Sequence, residues 1–353
     1  MKFSTAVSAL AVALPFVSAR PATKRGVTTT GSTHSKVAIK QDFADPSTIK
    51  SGNTWYAFAS NNHKAYLTGN SSSVGYNHLI NIQVATSPDF SSWTVTGQDA
   101  LPTVGAWANP NAGNQGAAVW APDVIQNAAG QYVMTYSAAT TTDSTKHCIG
   151  LATSWSPNGP YTPLANSFAC PLSQGGAIDS SFFKDTDGTI YMVYKIDGNS
   201  IGNGGSCNNG VAPQVPTPIM LQKLASDAMT PVGSPVQILD RSNLDGPLIE
   251  APALTKTSAG KYVLFFSSNC FASSQYDLSY AFAESNINGP YTKRGPMMIT
   301  GTNGLYSPGA GDVAADGSHM VFHAGDVGPN NLWPRYMYTQ SITVDSNAEV
   351  VSS

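Results

Sequence analysis

Five stretches of the chain repeat one arrangement of polar and apolar positions: "FADPSTIKSGNTWYAFAS", "WAPDVIQNAAGQYVMTYSA", "IDSSFFKDTDGTIYMVYK", "IEAPALTKTSAGKYVLFFSS" and "GDVAADGSHMVFHA". Each starts at an acidic residue, continues as a short strand-like segment, turns at a Gly, and ends in a strand rich in Tyr, Phe, Val and Met. That is the pattern of a β-hairpin. A third run follows in each unit: "NIQVATSPDFSSWT", "CIGLATSWSPNGPYTPL", "LSYAFAESNINGPYTKRG", "YMYTQSITVD" and, more loosely, "PIMLQKLASDAMTPVG". Two of these runs share "NGPYT". Each unit therefore supplies about four strands, the content of one propeller blade. The acidic starts, Asp45, Asp123, Asp179, Glu250 and Asp312, recur at roughly 67-residue intervals, longer than compact propeller repeats. Helical periodicity is weak throughout. A β-sandwich also uses short strands between turns, but it does not require the same acidic start five times. The pattern predicts an all-β, five-bladed β-propeller, filling one domain over residues 26–353.

The N-terminus is set apart from that fold. Lys2, the apolar run "FSTAVSALAVALPFV" and the small-residue site "VSA" form a signal peptide over residues 1–19. Lys24-Arg25 is a basic pair ending a pro-segment over residues 20–25, so the mature chain is expected to begin at Gly26. The apolar run is too short to span a membrane comfortably, and no other segment approaches that length. A secreted, extracellular protein is expected.

Composition narrows the class. Charged residues make up 11% of the chain, against roughly 25% in an average soluble domain. Gly, Ser, Thr and Asn fill the difference, together with 10% aromatics. A net charge of −3 without any Lys/Arg cluster excludes nucleic acid as a partner. The four cysteines, Cys148, Cys170, Cys207 and Cys270, imply two disulfides in a secreted chain, with three connectivities open. No C-x-x-C pair points to zinc or redox chemistry. Asn70 heads the one N-glycosylation sequon and would carry an N-glycan.

In a propeller the innermost strand of every blade lines a central channel. If the acidic starts occupy those strands, Asp45, Asp123, Asp179 and Glu250 converge although they are remote in sequence. Carboxylates held close together cannot all ionise freely, so one can serve as an acid while another serves as a base. Glycoside hydrolysis uses such a pair, roughly 6.5–9.5 Å apart in inverting enzymes. Trp120, beside Asp123, offers a ring on which a sugar can stack. Taken one at a time, Asp-Pro and Pro-Asp pairs are ordinary turn chemistry; the repetition is what singles them out.

The set "ADP", "WAPDV", "IDSSFFKDTDGTIYMVYK" and "EAPAL" resembles glycoside hydrolase family 43 along the whole mature chain. The resemblance implies a five-bladed propeller that cleaves arabinose- and xylose-containing glycans with inversion. It also implies Asp45 as general base, Glu250 as general acid kept protonated in a partly apolar turn, and Asp179 as the carboxylate that positions the acid and raises its pKa. Asp123 would support the site near the substrate, and Arg335, in "WPRYMYTQ", resembles a last-blade Arg that reaches it. No cofactor is required, although a structural Ca2+ can sit on the propeller axis of relatives, held by a His in the last blade. Here "SPGAGDV" has Ala310 at that position, and His323 is the candidate substitute as metal ligand. His319 and His323 share a strand face without a third ligand, which argues against zinc.

The loop "IDGNSIGNGGSCNNGVAPQVP" is too long for a plain turn and is expected to wall the pocket, pinned by a Cys207–Cys270 disulfide. The leading functional expectation is a secreted β-D-xylosidase with α-L-arabinofuranosidase activity on xylo- or arabino-oligosaccharides. The alternatives are an endo-1,5-α-L-arabinanase and, from another class, a non-catalytic sugar-binding propeller.

Overall fold

The computed structural model describes residues 35–62, 78–112, 117–325, 334–345, 347 and 349–352. The signal-peptide and pro-segment expectations, and the sequon at Asn70, lie outside these residues. Four consecutive antiparallel strands build each of the first four blades: β2 (Ser47–Ser51), β3 (Thr54–Ala59), β4 (Gln83–Ser87) and β5 (Thr94–Asp99); then β6 (Trp120–Gln126), β7 (Tyr132–Ala139), β8 (His147–Ser154) and β9 (Thr162–Pro163). The third blade comprises β10 (Ala177–Lys184), β11 (Ile190–Ile196), β12 (Ile219–Leu224) and β13 (Val236–Leu239). The fourth comprises β14 (Ile249–Lys256), β15 (Tyr262–Ser268), β16 (Asp277–Ala283) and β17 (Thr292–Met298).

The fifth blade is built differently. β18 (Tyr306–Val313), β19 (His319–Gly325) and β20 (Arg335–Val344) come from the end of the chain, and the outer strand is β1 (Lys36–Ile39) from its beginning. β21 (Val350–Ser352) pairs with the far half of β20. The ring of five blades is thus closed by pairing the first strand with the last long one, Val37 opposite Tyr338 and Ile39 opposite Met337.

The second strand of each blade explains the near-continuous apolar runs in the sequence. Both of its faces are buried, so alternate residues feed different interfaces. Val263 and Phe265 of β15 pack toward the fifth blade, whereas Leu264 and Phe266 pack toward the third. Five apolar clusters result, one in each seam between neighbouring blades. Each fully buried Leu, Phe or Val in a seam contributes about 1.5–3 kcal/mol, which holds rigid the blades that carry the polar groups of the mouth.

One backbone feature recurs in every blade. Asp45, Ala121, Asp179, Ala251 and Ala310 all have positive φ, between 43° and 56°. In β6, β10, β14 and β18 this residue falls within a shift of strand register. A left-handed residue costs roughly 1–2 kcal/mol, and such bulges re-aim side chains. Here they bend the head of each inner strand into the channel mouth. They also correct the expected equivalence of the five acidic starts. Asp45 and Asp179 do occupy the same blade position, but Glu250 stands one residue earlier and Asp123 and Asp312 two residues later. Short motifs such as "ADP", "APD" and "EAP" do not fix register, and a slip of one residue reverses the face a side chain occupies.

Candidate active site

A cavity of 580 Å³ opens at the mouth of the channel, and Asp45, Asp179 and Glu250 all line it. The three carboxylates come from the first, third and fourth blades. Arg335 at the head of β20 and Trp120 at the head of β6 line it as well.

Asp45 is the most heavily bonded. Its Oδ2 accepts the Ser60 hydroxyl at 2.6 Å and its Oδ1 accepts Arg335 Nη1 at 3.1 Å. His323 Nδ1 lies 3.2 Å from Oδ1 and accepts the backbone N–H of Asp45 at 3.1 Å. Burial would raise the Asp45 carboxyl, but the Arg335 charge and the Ser60 hydroxyl beside it favour the ionised form and the group is held far below the usual carboxylate range. These neighbours favour the ionised form of Asp45 at neutral pH.

Asp179 is the opposite case. Burial first, and the neighbouring Glu250 charge second, push its carboxyl well above the ordinary value against the pull of Lys195. Its Oδ2 accepts the backbone N–H of Ala251 at 3.1 Å, next to Glu250. Glu250 lies in strand β14 and not in a turn, and Lys195 Nζ lies 3.1 Å from its Oε2. The Lys195 side chain is 0% exposed and also pairs with Asp197 Oδ1 at 3.1 Å. Burial would discharge this ammonium, but Asp197, Glu250 and Asp179 together hold it charged. Removing one partner of a buried pair strands a charge, at a cost of about 3–5 kcal/mol.

The walls follow the sequence reading more closely. Two disulfides form, Cys148–Cys170 and Cys207–Cys270. The second ties the long loop after β11, whose Asn199, Ser200, Cys207 and Asn208 line the cavity, to the turn after β15 that carries Phe271. Trp120 is 37% exposed and stacks on His147 with centroids 3.7 Å apart. Burial pushes His147 down to about 4, against the charge of Asp197, so it is neutral at neutral pH.

Two expected positions differ. Asp123 does not line this cavity. It lines a smaller cavity together with Asp45, Asp179 and Asp312, and its carboxylate accepts the N–H groups of Phe182 and Val124 at 2.6 and 2.7 Å. It clamps the second blade to the third. His323 Nδ1 is engaged by Asp45. Among the described residues no three His, Cys, Asp or Glu side chains gather as a ligand set.

Sequence reasoning missed Lys195, Asp197, His147 and Ser60. A signal for two of them was present. Aligning the second strands, "WYAFAS", "VMTYS", "YMVYK", "VLFFS" and "MVFH" end in Ser60, Ser137, Lys195, Ser267 and His323. One lysine in a column of small or neutral acceptors marks a site.

The arrangement offers an ionised carboxylate, a second carboxyl whose surroundings favour its protonated form, a third paired to a buried cation, and exposed aromatic rings around one sugar-sized cavity. That equipment suits acid–base cleavage of a glycosidic bond. Comparisons with known proteins agree. A family model described as "Glycosyl hydrolases family 43" matches residues 35–347. The sequence is similar to the extracellular endo-α-(1→5)-L-arabinanase 1 of Bacillus subtilis (strain 168), 29% identical over 309 residues, which is 82% of this chain and 81% of that protein. The endo-arabinanase of Bacillus licheniformis superposes with a TM-score of 0.63 and 26% identity, over 88% of this chain and 97% of that one. A thermostable family-43 glycoside hydrolase superposes with a TM-score of 0.66 at 23% identity, over 88% and 93% of the two chains, and shows the shared fold.

Proposed function

The chain belongs to glycosyl hydrolase family 43 and is an O-glycosyl hydrolase; from that premise we propose that it is a secreted, inverting endo-1,5-α-L-arabinanase. The observation that carries the substrate is the similarity, over four-fifths of both chains, to an extracellular endo-arabinanase. The β-D-xylosidase expected from sequence gives way to it, because the motifs behind that expectation are shared by xylose- and arabinose-cleaving members and single out neither sugar. The leader sequence and the extracellular relatives support secretion.

In this reading Asp45 takes a proton from a water as the water's oxygen bonds to the anomeric carbon. Glu250 gives its proton to the glycosidic oxygen as the bond to that oxygen breaks. Asp45 ends protonated and Glu250 ionised, and exchange with solvent resets both. Asp179 positions the acid through the Ala251 N–H and keeps a proton in the pair. Arg335 keeps Asp45 ionised, and Trp120 and Phe271 supply stacking faces for arabinose units.

Incubation with linear 1,5-arabinan, arabino-oligosaccharides and xylo-oligosaccharides, with products separated by chromatography over time, tests the proposal. Early appearance of a ladder of arabino-oligosaccharides, each new reducing end first seen by NMR as the inverted anomer, is the expected result. Release of single sugars alone, or cleavage confined to xylosides, would overturn it.

A further inference from the structure

The second strands carry a repeated bond between blades. Ser60 Oγ accepts the N–H of Ala121, Ser137 Oγ that of Asp179, Ser267 Oγ that of Ala310, and His323 Nδ1 that of Asp45, at 2.8 to 3.1 Å. Each acceptor belongs to one blade and each donor is the left-handed residue of the next. The fifth seam, between the third and fourth blades, breaks the pattern. Its acceptor position is Lys195, and an ammonium cannot accept. The N–H of Ala251 goes to Asp179 Oδ2 instead, and Lys195 turns its charge onto Glu250 Oε2 and Asp197 Oδ1. The repeat is abandoned only at the seam that holds the proton donor.

From this broken repeat we propose that Lys195 is a positioning residue for the acid step: anchored by Asp197, it fixes the Glu250 carboxyl and compensates the charge that remains there after the proton has left. The proposal rests on Glu250 being the acid. The groups facing this cluster are Asp197, Glu250 and Asp179, with Asp45, Tyr276 and His147 beyond them. Lys195 is the buried cation among them. Asp179 holds the Ala251 N–H beside the acid while Lys195 holds a carboxylate oxygen of Glu250, so the two fix the acid from opposite sides. Loss of the cation makes the acid weaker and lets it keep its proton to higher pH.

The test uses Lys195→Ser together with Asp197→Asn. Serine restores the residue of three other blades and can accept the Ala251 N–H, while the asparagine avoids a stranded carboxylate. On linear arabinan, or whichever glycan the product assay finds cleaved, kcat should fall ~10- to 100-fold with KM within about threefold. The basic limb of the kcat/KM profile should move upward by about one pH unit. A nitrophenyl oligoside of the same sugar, whose leaving group needs no proton, should lose much less. A folded double variant with wild-type kcat and an unmoved basic limb overturns the proposal. If it fails to fold, Lys195→Arg decides: the limb stays while kcat drops, and an unchanged kcat refutes the positioning role. Glu250→Gln runs alongside. If it leaves glycan cleavage intact, the acid assignment and this proposal fall together; if it abolishes cleavage while the Lys195 variants behave as wild type, only the role of Lys195 fails.

Discussion

Asp45 and Asp179 occupy the same blade position with the same left-handed backbone, yet their surroundings drive them apart. Arg335 holds the first ionised; burial and the Glu250 charge hold a proton on the second. Their roles come from neighbours on other blades, which is why sequence alone could find the carboxylates but not the charges set around them. "EAP" and "ADP" stand out in a chain so poor in charge; a lysine closing an apolar strand reads as its solvent-exposed end until the five strands are aligned. Asp45→Asn should lower kcat by about 10²- to 10⁴-fold, equally for good and poor leaving groups, since the attacking water loses its base. Arg335→Gln should leave the base in place and let its pKa rise. The acidic limb of kcat/KM then moves to higher pH, and activity at pH 5 falls more than at pH 7. An acidic limb that stays put in that variant would show that Arg335 does not hold Asp45 ionised.

Hairpins were the most legible elements, because alternation and turn residues are local. What the pattern could not place was the register of the inner strands, which sets Asp123 and Asp312 two residues beyond the left-handed position; of the two, only Asp123 was expected at the mouth. They are clamps: Asp123 takes the N–H of Phe182 in the next blade, and Asp312 takes that of Thr48 across the closing seam. Burial raises Asp312 to about 6, and burial together with the Asp312 charge raises Asp123. The fold thus favours the protonated forms. That contribution is complete below the unfolded value near pH 4 and is lost as pH rises through about 6. Asp312→Asn keeps an oxygen for Thr48 while removing the charge. Its melting temperature should match the wild type at pH 4 and exceed it by about 2–3 °C at pH 7, the effect of ~1 kcal/mol. A variant less stable than wild type at pH 7 would mean that the ionised clamp is not penalised.

The ring as a whole is closed by a strand some three hundred residues from its partner along the chain, a pairing that no local pattern reveals; the sequence shows five units but not which end completes the fifth. The closure also has a chemical consequence. From β1 the chain runs directly to Asp45, the proposed base, and this segment is bonded to the head of β20: the N–H of Phe43 goes to the Arg335 carbonyl, and the N–H of Arg335 goes to Asp42 Oδ1. Asp45 and the arginine that keeps it ionised are therefore aligned by the same seam that joins the two ends of the propeller. Ile39, 4% exposed, anchors that seam among Phe43, Trp55, Val321 and Met337. Ile39→Ala should cost about 2–4 kcal/mol and lower the melting temperature by roughly 5–10 °C. Because the closing strand can open before the other seams, glycan cleavage should decline several degrees below the loss of far-ultraviolet circular dichroism. Activity and ellipticity lost at one temperature would instead mean that the base is held by the first blade alone.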